Sequence, residues 1–67
     1  MLRYKIDVLA ELKEKGYTTY KINKDKLLSN STVQKLRRGT MVSSQNIDTL
    51  CEMLCCQPGD IIEYVKM

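Results

Sequence analysis

The middle of the chain holds a short polar segment, Ser29-Asn30-Ser31-Thr32-Val33-Gln34-Lys35-Leu36-Arg37-Arg38-Gly39. A serine hydroxyl can accept a hydrogen bond from the first turn of a helix, and a glycine can adopt the left-handed conformation that ends one. Between these two residues only Val33 and Leu36 are apolar, and a spacing of three puts them on one side of a helix. The segment therefore predicts a helix over residues 29–38 that buries few side chains and exposes the rest.

The exposed side of this helix has a chemistry that suits the major groove of DNA. Short hydrogen-bonding side chains lie at its start, and Lys35, Arg37 and Arg38 lie towards its end. Side chains at the start of such a helix can contact base edges, while cations can contact phosphates. Composition alone is better explained by an ordinary solvated helix, so the interpretation depends on the surrounding segments.

Charge is distributed unevenly along the chain. Residues 1–40 contain ten basic and four acidic residues, whereas residues 41–67 contain one basic and four acidic residues. The net charge of +3 therefore divides into +6 for the first part and −3 for the second. A basic field on one part of a molecule favours nucleic acid or another polyanion. A chance fluctuation in a short chain is the alternative.

Length and composition predict one small folded domain over residues 1–67. The hydrophobic content of 43% is too high for a disordered chain, and the absence of Trp and Phe leaves Leu, Ile, Val, Met and Tyr to form the core. The first residues do not resemble a signal peptide, and no stretch approaches the length of a membrane span. We therefore expect a cytoplasmic protein without a membrane partner.

The cysteines do not predict a catalytic or metal site. Cys51, Cys55 and Cys56 lie within six residues, an odd set that suits free thiols in a reducing compartment better than disulfides. No histidine is present to complete a zinc site or to activate a thiol, and there is no glycine-rich phosphate loop. We expect no catalytic residue, no metal, no cofactor and no small-molecule substrate.

Two further helices are predicted before the central segment. Apolar residues at helical spacing cover residues 4–15, and Gly16 ends this run. Thr18 is expected to cap a second, short helix that continues to about Lys26, with Tyr20 facing inward. The connection to the next helix is short, which predicts a helix-turn-helix.

The turn between these helices contains one unusual residue. Leu28 is expected to pack inward beneath the turn. Leu27 lies where such turns commonly have glycine, and a leucine there is costly if φ is positive. We therefore expect a turn that is longer than usual or differently shaped.

Two helices are predicted after the central segment. Ser43 is expected to cap a helix from Ser44 to Leu54, whose apolar residues repeat at helical spacing. Pro58 then marks the start of a last helix. That helix is apolar around much of its circumference and could expose a patch that binds a second copy, at Ile61, Ile62, Tyr64 and Val65.

The order of these segments resembles the helix-turn-helix domain of the Cro and lambda-repressor type. Three stretches carry the resemblance: Ser29–Gly39 for the recognition helix and its closing glycine, Val42-Ser43 with Ile47, Leu50 and Cys51 for the capped fourth helix, and Leu54–Tyr64 for the end of a compact subgroup common in Gram-positive bacteria and their mobile elements. The resemblance implies an all-α, five-helix, lambda-repressor-like DNA-binding domain.

The resemblance also implies contacts with operator DNA, which the family usually binds as a symmetric dimer. Base contacts fall on Asn30, Ser31, Gln34 and Lys35. Phosphate contacts fall on Thr19, Ser29, Arg38, Thr40 and Ser43. Asparagine can pair with adenine through two hydrogen bonds, and lysine can donate to guanine. The alternatives are that Asn30 and Ser31 are solvated helix-start residues and that Lys35 forms a surface salt bridge.

Three functions follow, in decreasing order of support. The first is a sequence-specific transcriptional regulator that inserts helix 29–38 into the major groove of a double-stranded operator as a homodimer. The second is a protein-interaction module, similar to an antitoxin or anti-repressor, that binds its partner through the apolar last helix. The third and weakest is an enzyme.

Overall fold

The structure is a computed structural model that describes residues 1–66, which contain five short helices and a two-stranded ribbon. The elements are β1 (Leu2–Tyr4), α1 (Val8–Glu14), α2 (Thr19–Lys24), α3 (Asn30–Arg38), α4 (Ser44–Leu54), α5 (Pro58–Ile61) and β2 (Ile62–Tyr64). The predicted five-helix fold is confirmed, and the small antiparallel sheet is an addition to it.

The helix starts follow from local capping chemistry. Thr18, Ser29 and Ser43 each accept a hydrogen bond from the backbone N–H three residues on, at 3.2, 3.2 and 3.3 Å. Asp7 accepts in the same way at 3.2 Å and starts α1. Gly39, with a φ of 77°, ends α3 in the left-handed conformation. The predicted caps of α2, α3 and α4 and the glycine after α3 are therefore confirmed.

Both ends of the chain differ from the prediction. The first helix begins at Val8 rather than near residue 4, and the last helix ends at Ile61, because the flanking residues form the ribbon. Its cross-strand pairs are Leu2 with Tyr64, Arg3 with Glu63 and Tyr4 with Ile62. β-branched and aromatic residues favour this extended pairing over a further helical turn. Ile62, Tyr64 and Val65 therefore do not lie on a helix.

The turn between α2 and α3 places its strained residue one position earlier than expected. Lys26, not Leu27, has a positive φ, of 53°. Helix α2 has already ended at Lys24, and the Leu27 N–H donates to the Ile22 carbonyl at 3.0 Å. Leu27 is half-buried, and Leu28 is buried as predicted. A left-handed lysine costs about 1 kcal/mol, which the surrounding packing must offset.

The core is aliphatic, as composition predicts. Eleven hydrophobic side chains are buried: Val8, Leu12, Ile22, Leu28, Val33, Leu36, Val42, Ile47, Leu50, Leu54 and Ile61. The prediction that Tyr20 faces inward is wrong, because this side chain is 73% exposed and α2 contributes only Ile22 to the core. A helix of six residues makes too few turns to bury a wide face.

Candidate nucleic-acid interface

Helix α3 presents a polar stripe on the side opposite the core. Val33 and Leu36 are buried, whereas Ser31, Lys35 and Arg38 are exposed. The exposed three follow one another at intervals of four and three residues, so they lie along one face of the helix. We call them the α3 stripe. The stripe places a hydroxyl near the start of the helix and two cations further along it.

Two other predicted base-contact residues lie beside the α3 stripe. Asn30 is exposed at the first position of the helix, and Gln34 is half-buried one turn later. Arg37 follows Asn30 by seven residues, so these two share one flank of the helix. The predicted base-contact residues therefore come together on the solvent side of α3 and its flank.

Within residues 1–66, the two cations of the α3 stripe, Lys35 and Arg38, have no carboxylate partner. Within residues 1–66 one ion pair occurs, between Arg3 Nε and Glu63 Oε2 at 2.7 Å on the ribbon. Neither Lys35 nor Arg38 therefore has a carboxylate within 4.0 Å in the described part of the chain. The alternative of a salt-bridged Lys35 does not hold, and both charges are free to meet an anion.

The start of α2 borders the end of α3 across an open groove. The groove has a volume of about 580 Å³, and its walls include Thr19, Arg37 and Asp7. Thr19 is exposed at the first position of α2. The structure thus brings this predicted phosphate-contact residue close to a cation of α3, although Asp7 adds a negative charge nearby.

The loop after α3 is held by a residue that sequence reasoning missed. The Tyr4 hydroxyl donates to the Thr40 carbonyl at 2.8 Å, and the Thr40 N–H donates to the Lys35 carbonyl at 2.8 Å. Burial raises the pKa of Tyr4 above its usual value, while a hydrogen bond from the Val42 backbone lowers it in part. The phenol therefore stays protonated and able to donate at neutral pH.

The other predicted phosphate-contact residues of this region are all exposed, but they differ in whether their polar groups already form hydrogen bonds. Thr40 is exposed, and its hydroxyl has no hydrogen-bond partner within residues 1–66. Ser43 is exposed as well, but its hydroxyl caps α4. Arg38 is exposed on the α3 stripe. Thr40 and Arg38 thus have free polar groups, while Ser43 has one lone pair already in use.

A polar network joins the start of α3 to α4. Thr32, at 4% exposure, is the one buried polar residue in the described part of the chain. Its hydroxyl receives a hydrogen bond from Asn46 Nδ2 at 3.1 Å and lies 2.8 Å from the hydroxyl of Ser29. The Ser29 and Ser31 hydroxyls are 3.2 Å apart. Ser29, predicted as a phosphate contact, is therefore engaged in capping and in this network.

Sequence reasoning missed Thr32 and Asn46. One signal was visible: Thr32 is a polar residue that precedes Val33, on the inward side of the predicted helix. A buried hydroxyl needs a partner, because an unpaired one costs about 1–3 kcal/mol. The identity of that partner was not visible, since Asn46 lies on another helix, 14 residues away.

A comparison with protein-family models matches residues 5–67 to the Cro/C1-type HTH DNA-binding domain. The chain belongs to this family. The match includes α2, α3 and the turn between them, so it covers the surface described above. No curated protein and no solved structure matches the chain. The resemblance inferred from sequence is confirmed, and the family is one of DNA-binding regulators that are typically not enzymes.

This Cro/C1-type domain also has an apolar surface on its ribbon. Leu2 and Tyr64, which are cross-strand neighbours, are 50% and 71% exposed. An apolar groove of about 380 Å³ lies beside them, lined by Leu2, Met41, Val42, Ser44, Ile47, Asp48, Pro58 and Ile62. We call Leu2, Ile62 and Tyr64 the ribbon patch.

The residues predicted for a dimer interface are placed unequally in this Cro/C1-type domain. Tyr64 is largely exposed, whereas Ile62 and Val65 are half-buried. Ile61 is completely buried within its own core. It therefore has no surface to offer to a partner, and its assignment to an interface is corrected.

No metal site is found in the described residues of this Cro/C1-type domain. No three potential metal ligands come together in residues 1–66. Burial and the neighbouring Cys51 raise the pKa of the Cys56 thiol, which favours the less reactive protonated form. In the same part of the chain, every helix is too short or too polar to cross a membrane.

Proposed function

We propose that the chain is a cytoplasmic, sequence-specific transcriptional regulator that inserts α3 into the major groove of operator DNA. The observation that carries the proposal is the α3 stripe, in which an exposed hydroxyl and two exposed cations lie opposite the core without carboxylate partners. A major groove about 12 Å wide admits one helix, and the stripe is the side of α3 that would face the bases and phosphates.

The proposed base contacts come from residues 30–35 of α3. Asn30 would bond adenine through its amide, and Lys35 would donate to guanine O6 or N7. Ser31 and Gln34 lie between or beside them and would contact neighbouring bases. Good contacts of this kind discriminate against a wrong base by about 1–3 kcal/mol.

The proposed phosphate contacts surround the helix. Arg38 and Thr40 lie at its end, and Thr19 lies at the start of α2. Ser43 and Ser29 cap helices, so Ser43 would contribute its own hydroxyl hydrogen and the backbone N–H groups of α4, while Ser29 would act through the backbone N–H groups of α3. Such contacts fix the position of the protein on the duplex without carrying sequence information.

We also propose that the protein acts as a homodimer through the ribbon patch. Support comes from the exposure of Leu2 and Tyr64 next to an apolar groove. A symmetric dimer would place two copies of α3 roughly 34 Å apart, one turn of DNA. Binding of a different protein to this patch, as in an antitoxin or anti-repressor, is the alternative, and the family match does not favour it.

Selection from a random DNA pool tests the proposal. The protein is mixed with labelled duplexes at low and at physiological salt, binding is followed by fluorescence anisotropy, and the retained DNA is sequenced. We expect an enriched, nearly palindromic motif. Binding that disappears with salt and enriches no motif would contradict the proposal, because it would reflect only a basic surface.

Two substitutions separate the proposed roles within α3. Arg38→Ala should weaken binding to all sequences and reduce the salt dependence, since it removes one phosphate contact. Asn30→Ala should instead change the preference at one base pair. Unchanged binding by both variants would show that α3 is not the recognition helix.

A further inference from the structure

The polar network at the start of α3 has a defined direction. An amide nitrogen only donates hydrogen bonds, so the Thr32 hydroxyl oxygen must accept from Asn46 Nδ2, at 3.1 Å. The hydrogen of Thr32 is then available to the Ser29 oxygen, which lies 2.8 Å away. The first two links therefore run from α4 towards the cap of α3.

The direction continues through Ser29. Its oxygen also accepts from the Thr32 backbone N–H at 3.2 Å, so both of its lone pairs are in use. The hydrogen of Ser29 is then left to donate, and the Ser31 oxygen lies 3.2 Å away and can accept it. In this arrangement Ser31 keeps its own hydrogen for a partner outside the network.

The middle of this chain of hydrogen bonds is shielded from water. Thr32 is 4% exposed, so solvent cannot readily replace Asn46 or Ser29 as its partner. Successive hydrogen bonds of this kind polarise one another and strengthen the common direction. The last member, Ser31, is exposed on the α3 stripe. A chain of hydrogen bonds thus connects a residue on α4 to a hydroxyl on the surface of α3.

We propose that Asn46 is a positioning residue that makes Ser31 a hydrogen-bond donor towards DNA and so sets its base preference. The inference rests on the proposed function, because it assumes that α3 enters the major groove. A donor at this position favours bases that present acceptors there, namely guanine N7 and O6, adenine N7 and thymine O4. Because one lone pair of Ser31 already accepts from Ser29, its oxygen offers one fewer acceptor to the amino groups of cytosine and adenine.

The sharpest test replaces the donor with an acceptor of the same shape. In Asn46→Asp the carboxylate accepts from Thr32, Thr32 accepts from Ser29, and Ser29 accepts from Ser31. The direction is then reversed, and Ser31 presents lone pairs to the DNA. Gln45→Glu is the matched control, because it adds the same negative charge at the neighbouring exposed position of α4.

The readout is the base preference obtained by selection from a random DNA pool. Ser31→Ala first identifies the base pair that depends on Ser31. At that pair, Asn46→Asp should shift the preference from acceptor-presenting to amino-presenting bases by about tenfold or more. Gln45→Glu should weaken binding uniformly and keep the wild-type preference. A wild-type preference at that pair in Asn46→Asp would overturn the inference.

A second variant keeps the test decisive if Asn46→Asp does not fold. Thr32→Val removes the buried hydroxyl while preserving the shape of the side chain. It should fold, as checked by circular dichroism, and lose the preference at the Ser31-dependent base pair while keeping the rest of the motif. An unchanged preference would overturn the inference.

Failure of this inference is distinguishable from failure of the proposed function. If the wild-type protein enriches no motif, the proposed function is wrong and the inference is overturned with it. If the wild-type protein enriches a motif that Ser31→Ala leaves intact, the regulator remains while the role of Asn46 is overturned.

Discussion

The α3 stripe and the ribbon both expose side chains to solvent, yet their charged residues are engaged differently. Arg3 on the ribbon is paired with Glu63 at 2.7 Å, and the ammonium of Lys5, directly after β1, donates to the Gly59 carbonyl at 3.0 Å. On α3, neither Lys35 nor Arg38 has a carboxylate within 4.0 Å in residues 1–66. The cations on and next to the ribbon are therefore bound to acceptors within the protein, whereas Lys35 and Arg38 remain available to an anion.

This difference limits what a count of charges can reveal. The excess of +6 over residues 1–40 includes Arg3, which lies on the ribbon, and Lys5, which follows β1 directly. Exposed ion pairs stabilise a fold by only about 0.2–1 kcal/mol, but they neutralise a charge locally. The partner of each cation, rather than the total, thus indicates where a polyanion can bind.

The largest expected effect is a loss of DNA affinity when the charges of the α3 stripe are reversed. Reversing both charges in the double variant Lys35→Glu and Arg38→Glu should lower DNA affinity by about 100-fold or more, because two attractive contacts become repulsive. Fluorescence anisotropy with the selected duplex measures this loss. Lys15→Glu is the control, since Lys15 lies beside Leu54, away from α3. Because the control reverses one charge and the double variant reverses two, a control loss about half as large on a logarithmic scale would show that binding depends on net charge alone.

The next largest effect is a weaker homodimer when the ribbon patch loses its exposed aromatic side chain. Tyr64→Ser should raise the dissociation constant of the homodimer by about tenfold or more, since buried aromatic residues often dominate interfaces. Analytical ultracentrifugation over a range of protein concentrations measures it. Tyr20→Ser is a close control, because Tyr20 is similarly exposed, at 73%, but lies on α2. Equal effects of the two substitutions would argue against the ribbon as the interface.

A smaller effect is expected on stability, from a substitution at Lys26 in the turn, which belongs to neither the α3 stripe nor the ribbon patch. Lys26→Gly should raise the free energy of unfolding by about 1 kcal/mol, because glycine adopts the positive φ of this turn without strain. Thermal unfolding should show a midpoint about 4–8 °C higher. Lys24→Gly makes the same change at a helical residue and should lower the midpoint instead. The same sign for both variants would contradict the assigned turn geometry.

The last expected effect is on stability and concerns the hydrogen bond between Tyr4 of the ribbon and Thr40 in the loop after α3. Tyr4→Phe removes the hydrogen bond to Thr40 and should lower the free energy of unfolding by about 1 kcal/mol near neutral pH. Burial raises the folded-state pKa of Tyr4 above 10.0, so the contribution is complete below that value and is lost as pH rises through the folded-state pKa. Urea unfolding of both proteins should therefore converge at high pH. A constant difference would contradict this role.

The boundaries of α3 and α4 were the part of the fold most open to prediction. Helix α4 spans Ser44–Leu54 as expected, and α3 lies between its predicted serine cap and glycine. Caps join residues three positions apart, so their chemistry is readable along the chain. The solvent side of α3 followed from the same local pattern, which is why its candidate contact residues could be named before any tertiary contact was known.

The ribbon was harder to predict for two reasons. The alternation of Leu2 and Tyr4 with Arg3 is typical of a strand, but it adjoins an apolar spacing that fits a helix equally well. Strand pairing also depends on a partner far along the chain, and Arg3 and Glu63 are 60 residues apart. A short strand has no stability without that partner.

Residue spacing and hydrogen bonds between near neighbours were enough to predict five helices and the caps of α2, α3 and α4, and the order of these segments indicated the family. Contacts in three dimensions were needed to show that the two flanking segments pair as a ribbon, that Ile61 is buried and that Lys35 and Arg38 have no carboxylate partner within residues 1–66. The same is true of the hydrogen bond between Asn46 and Thr32. Each of these depends on contacts between residues distant in sequence, which only packing brings together.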